Sequence, residues 1–371
     1  MTSMTAPHLL ALAAVAVCVC GASAADEIAP RSWATIRGIY GGVPDELIQD
    51  GRRLSDSGVS AIWMGSGSVT PERLAILREQ GVKVFVEFNT LHVASYIKDH
   101  PDAAPVGVDG KPCPPPHGWQ GVSPTHVGYR KYQMDAFREL LETYDIDGVW
   151  LDYHHAHASW ERSDPDMPDT GFDPRSLALF QKATGIELPD APTPEIATLL
   201  LGEHHDAWVK WRCGVLTDWV REFRSIIDTT QPNTLLGTFH NCWSDTDHDG
   251  ARLNKLFIDL RAQAKYVDVF SPMPYHVRFG HGDDIGWISR QTAWLGEVLA
   301  IEGDPAERHR IWPIVQLSDW DDPVPVSHVR RALDHGTRRP ATGVTVFNWG
   351  SLHAESDKVA EMTRLYLDIA P

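Results

Sequence analysis

The chain has 371 residues, of which 43% are hydrophobic and 22% charged. That balance suits one large folded unit or two smaller ones, and it excludes a long disordered chain, which carries fewer apolar residues. A formal net charge of −17 argues against nucleic acid and anionic membrane surfaces as partners, because both are met by basic patches.

Residues 1–25 read as a secretory signal. The apolar run Leu9 to Val19 is too short to span a bilayer, and Ala22-Ser23-Ala24 is a small-residue cleavage pattern. A lipoprotein reading through Cys18 or Cys20 fits the preceding residues less well. A secreted or periplasmic protein with no membrane span is therefore expected. Cys113, Cys213 and Cys242 remain after cleavage, an odd number whose spacing matches no zinc site.

Strand-like and helix-like runs then alternate through residues 30–371. The first strand is expected at 34–40, followed by a helix over 44–57. The second is 61–64, before a helix with Thr70 as cap, Pro71 in its first turn and Gly81 after its end. The third is 82–88. A loop over 89–124, rich in Pro, Gly and His, is long enough to suggest function. A helix over 125–144 leads to the fourth strand, 148–153. Residues 154–232 form an insertion with a polar loop at 159–173, a helix at 174–184 and a long amphipathic helix over 194–230. Strands five to eight are expected at 234–239, 267–271, 311–317 and 343–347. Helices are expected between them at 250–264, 284–301 and 326–338, with a last one at 356–369. Eight strand–helix units in order are the pattern of a (β/α)8 TIM barrel, an α/β fold in a single domain. An open doubly wound sheet would want a Gly-rich phosphate turn, and Gly38-Ile39-Tyr40-Gly41-Gly42 lacks that spacing.

In such a barrel the chemistry lies at the carboxyl ends of the strands. Those positions hold Tyr40, Glu87, Asn89, His92, Asp152, His154, His155, His157, His240, Asn241, Trp243, Asp245, Tyr275, Gln316, Asp319, Trp320, Asp321, Asn348 and Trp349. Glycoside hydrolysis needs two carboxyl groups, and it gains from aromatic walls and from groups that hydrogen-bond hydroxyls. Asp152 is the leading candidate, as nucleophile. It shares a strand face with Trp150 and, by simple alternation, with His154. Glu87 is the second candidate, since a buried Glu needs a partner or a shifted pKa; its bland alternative is a salt bridge to Arg37. Asp245 and Asp319 complete the set of expected catalytic carboxyls, although loop aspartates often only cap helices. Tyr40, Asn89, His154, His155, His240, Asn241, Trp243, Tyr275, Trp320, Asn348 and Trp349 are the expected substrate-binding groups. The His cluster leaves a metal site open, but the first strand end lacks the H-x-H pair of metal-dependent amidohydrolase barrels, so no metal and no cofactor is expected.

Two segments carry a family resemblance. Pro124 to Arg130 fits "P-x-x-x-x-Y-R", and Asp145-Ile146-Asp147-Gly148-Val149-Trp150-Leu151-Asp152 fits "D-V-D-G-I-x-x-D". Together they resemble the glycosyl-hydrolase-like group of bacterial TIM-barrel glycoside hydrolases, strongly over about residues 120–155. The resemblance implies a barrel acting on carbohydrate, with the sugar unspecified. Set against the chitinase pattern "D-G-x-D-x-D-x-E", Asp147 and Asp152 match, but Trp150 replaces the middle Asp and His154 the acid Glu. Retaining α-glycosidase barrels fit better. On that likeness Asp152 would be the nucleophile, and Asp245 or Asp319 the acid. A carbohydrate-binding barrel without catalysis, and a metal-dependent hydrolase, are the alternatives.

Overall fold

The computed structural model describes residues 30–370. The expected signal segment, with Cys18 and Cys20, lies outside them. Nine parallel strands are present: β1 (Ile36–Tyr40), β2 (Ala61–Gly65), β3 (Lys83–Asn89), β4 (Gly148–Asp152), β5 (Leu235–His240), β6 (Val269–Pro272), β7 (Arg310–Ile311), β8 (Ile314–Gln316) and β9 (Gly343–Phe347). Their order in the sheet is β7-β6-β5-β4-β3-β2-β1-β9-β8. The two end strands, β7 and β8, are consecutive in the chain and separated only by Trp312 and Pro313. Pro313 has no N–H to donate, so the expected seventh strand breaks in two. Its first half pairs with β6 and its second with β9. The Trp312 N–H still donates to Phe270 at 3.0 Å, and the Pro313 carbonyl accepts from Thr345 at 2.9 Å. The split strand closes the ring, giving the eight-unit TIM barrel.

Large aromatic side chains fill the interior. Trp150 lies 4.7 Å from Phe85, 5.2 Å edge-on to Trp63 and 5.6 Å from Trp312 in a stack, measured between ring centroids. All four are buried, and Trp150 Nε1 donates to Ser271 Oγ at 2.9 Å. The space comes from glycines on neighbouring strands. A Cβ on Gly237 would lie 2.2 Å from the Trp150 ring, and one on Gly38 would lie 2.2 Å from Trp63.

Helices coat the outside where expected, with several differences, among them short helices at Ala94–Asp99 in the long loop and at Trp349–Leu352. Pro44 to Ser57 is not one helix: a turn at Asp45–Ile48 gives way to two 3-10 turns, with Asp50 and Gly51 both at positive φ. The long helix of the insertion is two, Thr193–Leu201 and His205–Thr230, broken at Gly202. The stretch after β5 holds only Ala251–Asn254 and Leu260–Gln263, with Phe257 at φ 61 between them. The insertion has its own small core of Phe172, Leu177, Phe180, Ile196, Leu200 and Trp208. Among the described residues no helix is long and apolar enough to cross a membrane.

Candidate active site

The strand period of two sets the site. Tyr40 stands two residues beyond Gly38, Glu87 two beyond Phe85, and Asp152 two beyond Trp150. All three therefore project inward, in the layer above the aromatic plug. The Tyr40 hydroxyl donates to Glu87 Oε2. Glu87 stands beside Asp152, and the two shift one another's pKa. The Tyr153 N–H donates to Asp152 Oδ1 at 2.8 Å. Tyr40 is held by Phe347, 5.5 Å away in a stack, and by Phe239, edge-on at 5.9 Å.

Burial raises the pKa of both Glu87 and Asp152. For Asp152 the charges on Glu87 and then Glu161 add to that effect, while the Tyr153 N–H opposes it. Two neighbouring carboxyls in a low dielectric resist ionising together. Tyr40 and Tyr275 are held protonated by burial and by the same carboxylates.

Loops from several strand ends build the walls. His117, Trp119, Tyr153, His155, Trp160, Glu161, Arg162, Arg278 and Trp320 line a cleft of about 140 Å³. Trp119, His92 and Tyr153 pack within 4.8–5.3 Å of one another on one side. Trp320 stacks on Phe347 at 5.2 Å on the other, with Tyr275 packed against both. The Arg278 guanidinium lies 4.4 Å over Trp320 and pairs with Asp321. Flat apolar faces edged with polar groups are what sugar rings stack against.

The structure brings together Tyr40, Glu87, Asp152, His155, Tyr275 and Trp320 of the sequence-derived set. Glu87 does not pair with Arg37, whose guanidinium donates to Gly58 and Ala34 carbonyls instead. Asn89 is beside Asp152 in register, but its amide holds the His92 backbone in both directions.

Other expected residues are elsewhere. Tyr153 adopts φ 49, which ends the alternation and turns His154 outward. His154 is buried, with Nε2 3.0 Å from the Leu216 carbonyl and Nδ1 3.3 Å from Thr90 Oγ1; burial lowers its pKa to about 4. His157 bridges Gly121 and Pro114 of the long loop. His240 and Asn241 are enclosed, and the Asn241 side-chain amide has no hydrogen-bond partner among the described residues. Trp243 is buried against Trp160 and His248. Asn348 caps a short helix and Trp349 is buried, donating to Glu46. Asp245 pairs with Arg252 and Arg261, and Asp319 with Lys358. Cations thus neutralise both, and neither acts on Asp152 as Glu87 and Glu161 do. Among the described residues no three His, Cys, Asp or Glu side chains converge to hold a metal ion.

Glu161 is the cleft carboxyl that sequence reasoning missed. It lies in the loop over 159–173, where no periodicity marks it. The available signal was its neighbour Trp160, an apolar anchor in a polar stretch. Burial raises Glu161 to about 7; Arg278 opposes that shift and Glu87 adds to it.

No family model and no curated protein matches the chain. Solved structures do share its fold. The PgaB (BpsB) glycoside hydrolase domain from Bordetella bronchiseptica matches at 15% identity with a TM-score of 0.65, over 91% of this chain and 99% of that one. The β-galactosidase from the psychrophilic Marinomonas ef1 matches at 14% identity and TM-score 0.60, over 89% of this chain. The polyextremophilic β-galactosidase from the Antarctic haloarchaeon Halorubrum lacusprofundi matches at 12% identity and TM-score 0.59, over 91% of this chain. The chain spans 58% of the length of each β-galactosidase. The fold is thus the barrel found in glycoside hydrolases.

Proposed function

We propose that the protein is an exported glycoside hydrolase that cleaves an oligo- or polysaccharide with retention, using Asp152 as nucleophile. The observation that carries this reading is the Glu87–Asp152 carboxyl pair at the strand ends, held by the Tyr40 hydroxyl and the Tyr153 N–H, beside an aromatic cleft. A nucleophilic carboxylate must be ionised yet poorly solvated. Sharing one proton would leave the pair a negative charge, and the Tyr153 N–H holds one oxygen of Asp152 in place. The charge on the pair also stabilises the oxocarbenium-like transition state. Trp320, Trp119, Tyr153 and Tyr275 offer stacking faces for sugar rings, and His155 offers a hydroxyl partner. Export rests on the apolar run Leu9 to Val19 and on Ala22-Ser23-Ala24.

The test is a glycan and aryl-glycoside panel run on wild type and Asp152→Asn. Wild type cleaves at least one member, proton NMR of the first-formed product shows retained anomeric configuration, and Asp152→Asn loses at least about a thousandfold in kcat while remaining folded. A fully active Asp152→Asn protein defeats the assignment, and an inverted product defeats the nucleophile role.

A further inference from the structure

The glycosidase reading needs a proton donor facing Asp152, and Asp245 and Asp319 are both paired with cations. Resting on that reading, we infer that Glu161, on the loop that follows β4, is the general acid and base of the reaction.

Three features place it. Ser159 and Asp166 exchange backbone hydrogen bonds of 2.9 Å in both directions, so residues 159–166 form a closed hairpin rather than a loose loop. Trp160 pins that hairpin to the barrel, buried and stacked on Phe279 at 6.1 Å. Arg278 Nε donates to the Glu161 backbone carbonyl at 2.7 Å while its guanidinium lies over Trp320. The backbone of Glu161 is therefore fixed from two sides. Its side chain lines the cleft beside Tyr153, the residue next to Asp152.

The rim carboxylates differ in their partners. Asp321 is paired with Arg278 and Asp164 with Arg162. The Glu161 carboxyl has neither an ion pair nor a hydrogen bond among the described residues. A carboxyl left without a donor in a desolvated cleft keeps its proton, which is the form a general acid needs, and burial accordingly holds it near 7. The Glu161 charge raises Asp152 and the Glu87 charge raises Glu161, so Glu161 lies within electrostatic reach of the pair.

In the first step the Asp152 carboxylate bonds to the anomeric carbon. The glycosidic C–O bond breaks, its electron pair leaves on the aglycone oxygen, and that oxygen takes the Glu161 proton. In the second step water attacks the anomeric carbon, Glu161 accepts the water proton, and Asp152 departs as carboxylate.

A pair of leaving groups tests this. Methyl and 2,4-dinitrophenyl glycosides of glucose, galactose and N-acetylglucosamine are assayed with wild type and Glu161→Gln. A dinitrophenolate leaves without protonation, whereas methoxide does not. Glu161→Gln is expected to lose at least about a hundredfold on the methyl glycoside or the matching oligosaccharide, and less than about tenfold in glycosylation by the dinitrophenyl glycoside. Added azide, which needs no general base, is expected to restore turnover as the glycosyl azide. The limb of the kcat/KM profile near pH 7 disappears. Equal losses on both leaving groups, or wild-type rates on the methyl glycoside, overturn the role of Glu161 and leave the hydrolase reading standing. A wild-type protein that cleaves none of the probes nor any glycan of the panel overturns both.

Discussion

Glu161→Gln should make the protein more stable at alkaline pH, and the size of the gain follows from the site. An ordinary Glu titrates near 4.5, and Glu161 near 7 in the folded chain. A carboxyl whose folded pKa is raised contributes fully to stability below its unfolded pKa, and that contribution is lost as pH climbs through the folded value. The wild-type protein therefore loses stability between about pH 4.5 and pH 7 on account of this residue. At about 1.4 kcal/mol for each tenfold, the full shift would be worth roughly 3 kcal/mol. Solvent reaches part of the side chain, which reduces the figure to about 2 kcal/mol. Gln has the same shape and no charge, so the variant escapes the loss. Urea unfolding of both proteins at pH 4 and pH 8 measures it: no difference at pH 4, and the variant ahead by about 2 kcal/mol at pH 8. Equal midpoints at pH 8, or a less stable variant there, would refute the claim that Glu161 is held unpartnered in a desolvated cleft.

Other expectations follow from the same geometry. Tyr40→Phe removes the donor that favours the ionised form of Glu87, so the pair holds its proton more tightly; the acidic limb of kcat/KM moves to higher pH and kcat falls about tenfold or more, read from a pH–rate series. His154→Ala strips a buried ring from Leu216 and Thr90, costing about 2–3 kcal/mol in urea unfolding with KM unchanged, because the ring faces a helix and not the cleft. Gly237→Ala pushes a methyl group into the Trp150 ring and costs about 3 kcal/mol; a variant as stable as wild type would contradict the packing described. Trp320→Ala raises KM severalfold with little change in stability, measured by initial rates and thermal melts.

The barrel was legible because its strands are short runs of Val, Ile and Phe between turn residues, and most observed boundaries fall within two residues of the expected ones. Glu87 and Asp152 were legible for the same reason, since counting by twos from Phe85 and Trp150 puts both inside. What failed was local backbone shape. Nothing in Tyr153 announces a left-handed φ, so alternation carried His154 to the wrong side of the strand. Gly202 interrupts a pattern whose hydrophobic period continues on both sides. Asp245 and Asp319 looked catalytic because a sequence displays carboxylates without their cations; Arg252 is seven residues from the first and Lys358 thirty-nine from the second. Glu161 was hidden by the opposite circumstance, a loop whose order comes from Trp160 and from Arg278 more than a hundred residues away.

The tryptophan–glycine packing of the barrel interior has a consequence for how such a sequence can diverge. Trp150 fits only while Gly237 lacks a side chain, and Trp63 fits only opposite Gly38. Neither partner can change first without a clash or a void. Substitution at these positions must therefore come in matched exchanges across strands. A related barrel that has lost one tryptophan should carry a larger residue at the facing glycine, so the two columns should covary even where the rest of the sequence has drifted beyond recognition.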